Sequence, residues 1–238
     1  MAKHRQIFNI TTGKMKFIVF GLGIFGKSVA IRLTEMGHEV IGVDKGKQKV
    51  DELKDEITHT VCMNSTDRDA VNSLPLKDAD AVIVAIGEDE AASLLTTALL
   101  KQLNVRRIIG RVVSDLQRTV LDAMSIKEYV LPEEESADRL AMRLDLEDVL
   151  DSFKITEKYS IVEAVVPKRF IGKTIGTADF INSYNVLVLS LIKKHTAEGL
   201  LNVSREASGI ATANTVMEEG DIVVLFGELM NIRSLLKD

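Results

Sequence analysis

The feature that most constrains this chain is the alternation of short apolar runs with amphipathic stretches between residues 16 and 131. The amphipathic stretches are about 10 to 15 residues long and carry apolar residues at helical spacing, which is typical of repeated βαβ units. Right-handed crossovers place such helices on both faces of a parallel sheet. The runs predicted as strands are residues 17–20, 40–43, 58–62, 81–86, 107–112 and 129–131. We therefore predict an α/β fold with a Rossmann-like, doubly wound parallel sheet.

The pattern changes in the last third of the chain, which predicts a second, smaller α+β domain. Its apolar runs are separated by glycine-containing turns, and a short helix is predicted at residues 228–236. Before it, apolar spacing from Leu140 to Leu150, following Pro132, predicts one long helix. The strands predicted in this part are residues 161–166, 186–192, 200–203 and 222–226. The predicted organisation is a first domain at 1–135, a linking or crossover helix at 136–153 and a second domain at 154–238.

A glycine-rich loop follows the first predicted strand and precedes the first predicted helix. Gly21, Gly23 and Gly26 have the spacing that permits a tight turn, close approach of a diphosphate and close packing of helix on strand. The diphosphate would lie on the free N–H groups of the helix N-terminus. Asp44 ends the second predicted strand, where the motif has an acid for the ribose hydroxyls. This carboxylate disfavours the 2′-phosphate of NADP, whereas NAD, ATP, ADP and AMP all stay open.

Charge and cysteine content exclude several classes of function. The chain has 30 Lys and Arg against 35 Asp and Glu, and its net charge of −5 offers no general attraction to nucleic acid or anionic lipid. Cys62 is the single cysteine, so no intrachain disulfide can form, which fits a reducing compartment. No apolar run reaches the roughly 18 residues of a membrane-spanning helix. We expect a cytoplasmic protein that does not bind nucleic acid.

The chain offers few candidates for hydride-transfer catalysis. A dehydrogenase usually places a His, a Lys or a Tyr-Lys pair beside the nicotinamide. No tyrosine here is followed by a lysine one helical turn on, and no two histidines have the spacing of a zinc-binding H-E-x-x-H motif. We therefore expect that the protein is not an enzyme and that it senses its nucleotide rather than consuming it. An NAD-dependent soluble oxidoreductase is the alternative.

The ordered set of these motifs resembles the cytosolic regulatory subunits of Trk and Ktr potassium-uptake systems. Members of this family consist of an RCK domain, also called KTN, followed by a small C-terminal ligand domain. The matching segments are FIVFGLGIFG at 17–26, GHEV at 37–40, NSTD at 64–67, AVIVAIG at 81–87, LPE at 131–133 and YSIVE at 159–163. The resemblance covers nearly the whole chain from Met15 onward.

The resemblance implies roles for positions beyond the glycine loop and Asp44. Asn64 and Ser65 fall where family members contact the adenosine side, and Arg111 falls where they place a basic residue facing the phosphates. Glu133 matches an acidic position associated with ATP and a divalent cation across a dimer. The complete predicted set of nucleotide-binding residues is Gly21, Gly23, Ile24, Phe25, Gly26, Asp44, Lys45, Asn64, Ser65, Ala85, Gly87, Arg111 and Glu133, with Glu133 as the metal candidate.

One position departs from the family pattern. Several members carry an arginine inside the glycine loop, where it reaches a terminal phosphate, and this chain has Ile24 there. Lys27, one helical turn further on, is the nearest substitute cation. The identity of the preferred nucleotide therefore stays open.

Family membership would imply a nucleotide-binding regulatory, or gating, subunit that controls a separate membrane subunit translocating potassium ions. The implied partners are a TrkH-like or KtrB-like integral membrane protein and further copies of this chain, in a homodimer that assembles into an octameric ring. The implied ligands are ATP, ADP, NAD or NADH, a divalent cation, and cyclic di-AMP in the C-terminal domain. A purely dimerising C-terminal domain is the alternative. The resemblance places the protein in the cytoplasm, peripheral on the inner face of the membrane.

Overall fold

The computed structural model describes residues 13–146, 148–195 and 204–237. The residue contacts divide the chain into two compact units, one ending at Glu133 and the other beginning at Glu134. None of the helices in these described ranges is long and apolar enough to cross a membrane.

The first unit contains a six-stranded, fully parallel sheet with the strand order β3-β2-β1-β4-β5-β6. This is the order of a doubly wound Rossmann sheet, and it confirms the predicted fold class. Each strand coincides, within a residue or two at most ends, with an apolar run identified in the sequence. The strands are β1 Lys16–Phe20, β2 Glu39–Asp44, β3 His59–Cys62, β4 Ala81–Val84, β5 Ile108–Arg111 and β6 Glu128–Val130.

The central strands are apolar along their length because helices cover both faces of the sheet. Phe20 and Leu100 belong to the core on one face, and Val19 and Leu53 belong to the core on the other. The side chains of Asp67, Asp89 and Ser114 accept hydrogen bonds from first-turn N–H groups and so fix the starts of three helices. The helices are α1 Ile24–Glu35, α2 Lys47–Glu52, α3 Arg68–Asn72, α4 Glu90–Gln102 and α5 Asp115–Ala123.

The second unit contains a five-stranded antiparallel sheet with the order β10-β9-β11-β8-β7. Its core is formed by the buried faces of β8, β9 and β11 together with Ile232 and Leu235 of the C-terminal helix. The strands are β7 Val149–Lys154, β8 Tyr159–Val165, β9 Val186–His195, β10 Ser204–Ala207 and β11 Ile222–Glu228. Helix α6, Pro132–Asp145, begins with the last two residues of the first unit and continues in the second. The further helices are α7 Ile175–Ala178, α8 Phe180–Tyr184 and α9 Leu229–Lys237, with a 3-10 turn at Lys168–Phe170.

The linking helix predicted over residues 136–153 is wrong in its extent. Helix α6 ends at Asp145, and Val149–Lys154 form strand β7, paired with β8. Leu146 and Val149 fit helical spacing, yet both are buried in the core of the second unit. Pairing along β8 therefore overrides the local helical pattern. The helix predicted near the C-terminus is confirmed as α9, whereas the strand predicted at 200–203 lies outside the described residues.

Candidate functional site

A cleft of about 730 Å³ lies at the carboxyl edge of the parallel sheet, where the strand order reverses between β1 and β4. Loops after these two strands leave in opposite directions, which opens a crevice that is the usual ligand site of such sheets. Most of the residues predicted from the sequence line this cleft. They are Gly21, Gly23, Ile24, Asp44, Lys45, Asn64, Ser65, Ala85, Gly87 and Arg111.

The glycine loop closes tightly on its neighbours. The Gly21 N–H donates to the Val43 carbonyl over 2.8 Å, and Gly21 has a φ of +90°, which favours glycine. A Cβ at Gly26 would lie 1.8 Å from the Gly21 carbonyl oxygen, so helix α1 can pack this closely only with glycine there. A Cβ at Gly23 would meet no atom within 4 Å. Gly21 and Gly26 therefore serve packing, while Gly23 leaves room in the cleft.

The N-terminus of α1 opens on the cleft. Gly23 is its N-cap and, within the structure described, no side chain bonds to the first-turn N–H groups and no acidic residue occupies that turn. These N–H groups and the positive end of the helix dipole are thus available to an anion. Ile24, in the first turn, is 91% exposed.

The Asp44 carboxylate is held in place by two backbone groups. One oxygen accepts the Leu22 N–H over 2.8 Å, and the other accepts the Gly46 N–H over 2.7 Å. The carboxylate therefore joins the glycine loop to the loop that follows β2. Because each carboxylate oxygen accepts more than one hydrogen bond, both can still accept from a ribose hydroxyl.

Two exposed ion pairs connect the loop after β2 and helix α2 with the loop after β4. Lys45 Nζ lies 3.8 Å from Asp89 Oδ2, and Lys49 Nζ lies 3.9 Å from Glu88 Oε2. Exposed pairs at such distances contribute little to stability, so an anionic ligand could recruit either lysine at small cost. The two lysines and Arg111 supply the positive charge that lines the cleft.

The loop after β3 closes the side of the cleft assigned to adenosine. Asn64 Oδ1 accepts the N–H and the hydroxyl of Thr66, over 3.1 and 2.9 Å. The hydroxyl of Thr96, on α4, donates to Ser65 Oγ over 2.9 Å. The amide nitrogen of Asn64 is the group best placed chemically to read a base edge or sugar hydroxyl.

Arg111 ends β5, and its guanidinium lies against three different partners. It packs against Gly87, where a Cβ would fall 2.4 Å from Arg111 Nη1, and it lies 5.6 Å from the centroid of the Phe25 ring. Its Nη2 donates to Glu133. Desolvation is the largest influence on the Glu133 carboxyl and raises its pKa. The hydrogen bond from Arg111, a backbone hydrogen bond and the Arg111 charge together outweigh desolvation and leave that pKa below its ordinary value. Arg111 Nε is buried with no hydrogen-bond partner among the described residues.

Three predicted site residues do not line the cleft. Phe25 packs partly into the core beneath the sheet, Gly26 contacts Gly21, and Glu133 pairs with Arg111. In the part of the chain that the structure describes, no three His, Cys, Asp or Glu side chains are grouped so as to hold a metal ion. The metal role of Glu133 therefore stays a prediction.

The sequence interpretation missed several residues that the strand order brings into the cleft. Their shared signal is position, because they stand at or just after a strand end, or in the first two turns of α2 or α4. They are Val43, Lys49, Met63, Thr66, Ile86, Glu88, Asp89, Ala91, Ala92 and Leu95. Counting only described residues, the lining contains no His, Cys or Tyr side chain.

Comparisons with known proteins agree with the geometry. The profile of the TrkA-N domain matches residues 17–132. The chain is 33% identical over 219 residues to the Ktr system potassium uptake protein C of Bacillus subtilis (strain 168), covering 92% of this chain and 95% of that protein. It shares its fold with the GsuK RCK domain, at a TM-score of 0.61 and 19% identity over 100% of this chain and 50% of that one.

A third similarity covers about half of the chain. The NAD(P)-binding domain of an exopolyphosphatase-related protein from Archaeoglobus fulgidus is 26% identical, with a TM-score of 0.50, over 56% of this chain and 98% of that domain. The full-length match and the domain match together confirm the resemblance drawn from the motifs. This chain belongs to the Ktr and Trk family of potassium uptake proteins that carry a TrkA-N domain.

Proposed function

We propose that this protein is the cytosolic, nucleotide-binding regulatory subunit of a potassium uptake system and controls a separate membrane subunit that translocates the ion. One observation carries the proposal. In a chain that matches a potassium uptake protein over nearly its full length, the uncapped start of α1 and the fixed Asp44 carboxylate face the same cleft.

The ligand that fits this cleft best is an adenine nucleotide without a 2′-phosphate. Its phosphates would lie on the N–H groups at the start of α1, with Arg111 and the nearby lysines opposing their charge. Its ribose hydroxyls would donate to Asp44, and its base would lie near Asn64 and Ser65. The A. fulgidus domain is described as NAD(P)-binding, which supports a dinucleotide, and ADP and ATP present the same adenosine and phosphate groups.

Regulation would follow from unequal binding. A nucleotide that binds one arrangement of the subunits more tightly than another shifts their populations by no more than that difference in affinity. The proposed assembly is a homodimer that forms an octameric ring on the inner face of the membrane. A divalent cation at Glu133 and cyclic di-AMP in the second domain are proposed further ligands of this assembly.

The first test replaces Asp44 by asparagine and measures binding of ADP, ATP and NAD by titration calorimetry. Asp44→Asn loses the charge of the ribose acceptor, so we expect affinity for all three nucleotides to fall by about ten- to a hundredfold. Asp80→Asn is the matched control, because Asp80 also accepts a backbone N–H, that of Lys16 over 2.8 Å, but lies outside the cleft lining. Unchanged affinity in Asp44→Asn, or an equal loss in Asp80→Asn, would contradict the site.

The second test concerns assembly and reaction class. Light scattering after size-exclusion chromatography, with and without ADP or ATP, should give a mass above that of one chain. A monomer under every condition would contradict the ring. Continuous oxidation of NADH by the purified protein with added carbonyl substrates would instead support the oxidoreductase alternative.

A further inference from the structure

A fully buried glutamine connects the end of β5 to the helices behind the cleft. Gln117 has 0% of its surface exposed, and its side chain makes three hydrogen bonds. Its Oε1 accepts the Val113 N–H over 2.8 Å, and its Nε2 donates to the Arg111 carbonyl and to Ser93 Oγ, each over 3.1 Å. Because Val113 supplies an N–H and Arg111 supplies a carbonyl, only one orientation of the amide satisfies both.

The hydrogen bonds of the Gln117 side chain differ from those that a glutamine in the first turn of a helix usually makes. Gln117 is the third residue of α5, and its N–H donates to the N-cap hydroxyl of Ser114. In a capping box its side chain would return to the N–H of the N-cap residue. Here the side chain reaches further back and holds the backbone on both sides of Val112. The amide thus fixes the backbone from which the Arg111 side chain departs.

A second buried hydroxyl on α4 bonds to another part of the cleft lining. Ser93 and Thr96 lie on one face of α4, and both are buried. Ser93 accepts from Gln117, while Thr96 donates to Ser65 in the loop after β3. A buried polar network with all members paired is rigid, and an unpaired member is costly. The buried face of α4 therefore holds both ends of the cleft lining in place: Ser65 through Thr96, and the Arg111 backbone through Ser93 and Gln117.

We propose that Gln117 is a positioning residue: by fixing the backbone at Arg111, it orients the Arg111 guanidinium toward the phosphates of the bound nucleotide. The inference rests on the proposed nucleotide site and deepens it, because it separates the phosphate end of that site from the adenosine end. The narrow space around Arg111 explains why the position of its backbone affects phosphate binding. Its guanidinium lies between Gly87 and the Phe25 ring, so a small shift of its backbone would displace the donors from a phosphate.

The experiment compares ADP with adenosine, measured by titration calorimetry on the full-length protein. Gln117→Met removes the amide and keeps a side chain of similar length. We expect the Kd for ADP to rise about tenfold, the value of one hydrogen bond to a charged group, and the Kd for adenosine to change less than twofold. Thr97→Val is the matched control, because Thr97 is also buried on α4 but its hydroxyl bonds to the Ser93 carbonyl of its own helix. It should change neither Kd.

A double-mutant cycle distinguishes positioning from a general loss of stability. With Arg111→Gln as background, Gln117→Met should cause no further loss of ADP affinity, since the residue that it positions is gone. If Gln117→Met does not fold, Ser93→Ala removes one partner of the amide and should weaken ADP about threefold, again with adenosine unchanged. Equal losses for ADP and adenosine, or additive losses in the cycle, would overturn the inference while leaving the proposed function intact. Failure of the wild-type protein to bind ADP would overturn both.

Discussion

The two sheets of this protein bury their strands differently, and the difference explains where a ligand can bind. Strand β4 is buried along its whole length, because helices cover both faces of the parallel sheet. Strand β8 alternates buried and partly exposed residues over Tyr159–Val165, so the antiparallel sheet has one face in its core. Phe153 on β7 and Leu187 on β9 remain 62% and 45% exposed.

The comparison shows that a sheet covered on both faces offers its edge as the binding surface. At the carboxyl edge of the parallel sheet, Gly23 follows β1 and Asp44 ends the adjacent strand β2, and both line one cleft. The second sheet instead leaves exposed side chains on strands of its solvent-facing side, such as Phe153 and Leu187. The predictions below test whether the two units also respond separately to change.

The largest effect is expected in the core of the second unit. Leu225 on β11 is 0% exposed, so Leu225→Ala should lower the free energy of unfolding of this unit by about 2 to 5 kcal/mol. Leu187→Ala is the control, because the Leu187 side chain on the neighbouring strand is about half exposed, and it should cost about 0.5 kcal/mol or less. Calorimetric unfolding measures both. If the free energy of ADP binding falls in Leu225→Ala by as much as the free energy of unfolding, the two units do not respond separately to this substitution.

The next effect separates packing from binding within the glycine loop. In Gly26→Ala the new Cβ meets the Gly21 carbonyl, and we expect the first unit to lose about 1 to 3 kcal/mol or more. In Gly23→Ala the new Cβ enters open space, so stability should stay within about 0.5 kcal/mol while nucleotide affinity falls. Denaturant titration and calorimetry measure the two quantities. Equal stability losses in the two variants would contradict these roles.

The smallest effects are expected from pH, with opposite signs in the two units. In the first unit, Glu133 has a lowered pKa, so its pair with Arg111 stabilises the fold above the ordinary glutamate pKa of about 4.3 and is lost as pH falls. In the second unit, desolvation is the largest influence on Lys193 and lowers its pKa, but hydrogen bonds to Asp221 and Glu218 and the charges of these two carboxylates together outweigh it and raise that pKa. The contribution of Lys193 is present below the ordinary lysine pKa of about 10.4 and is lost as pH rises through the raised value.

Variants that remove the titrating group check these signs. Glu133→Gln should reduce the dependence of stability on pH at the acid end, and Lys193→Met should reduce it at the alkaline end. Thermal unfolding followed across the pH range measures both. An alkaline dependence that is the same in Lys193→Met as in the wild type would contradict the role of Lys193.

Much of the first unit could be predicted because its signals are local. Each strand is a short apolar run, and the glycine spacing with Asp44 specifies a strand, a turn and a helix in order. The extent of α6 could not be predicted in this way. Leu146, Val149 and Leu150 satisfy helical spacing, and the pairing of Val149 with Ala164 on β8, fifteen residues further on, places them in or beside a strand instead.

The sequence by itself determined the fold class, the glycine loop and the acid that faces it, since these depend on periodicity and spacing within a few residues. Only the tertiary structure decided what completes the cleft. Lys45 meets Asp89, and Arg111 meets Glu133, because the strand order brings these segments to one edge. The position of Gln117 in particular has no sequence signature. A glutamine in the first turn of a helix is ordinary, and its burial behind Arg111 follows from the packing of α4 and α5 against the sheet.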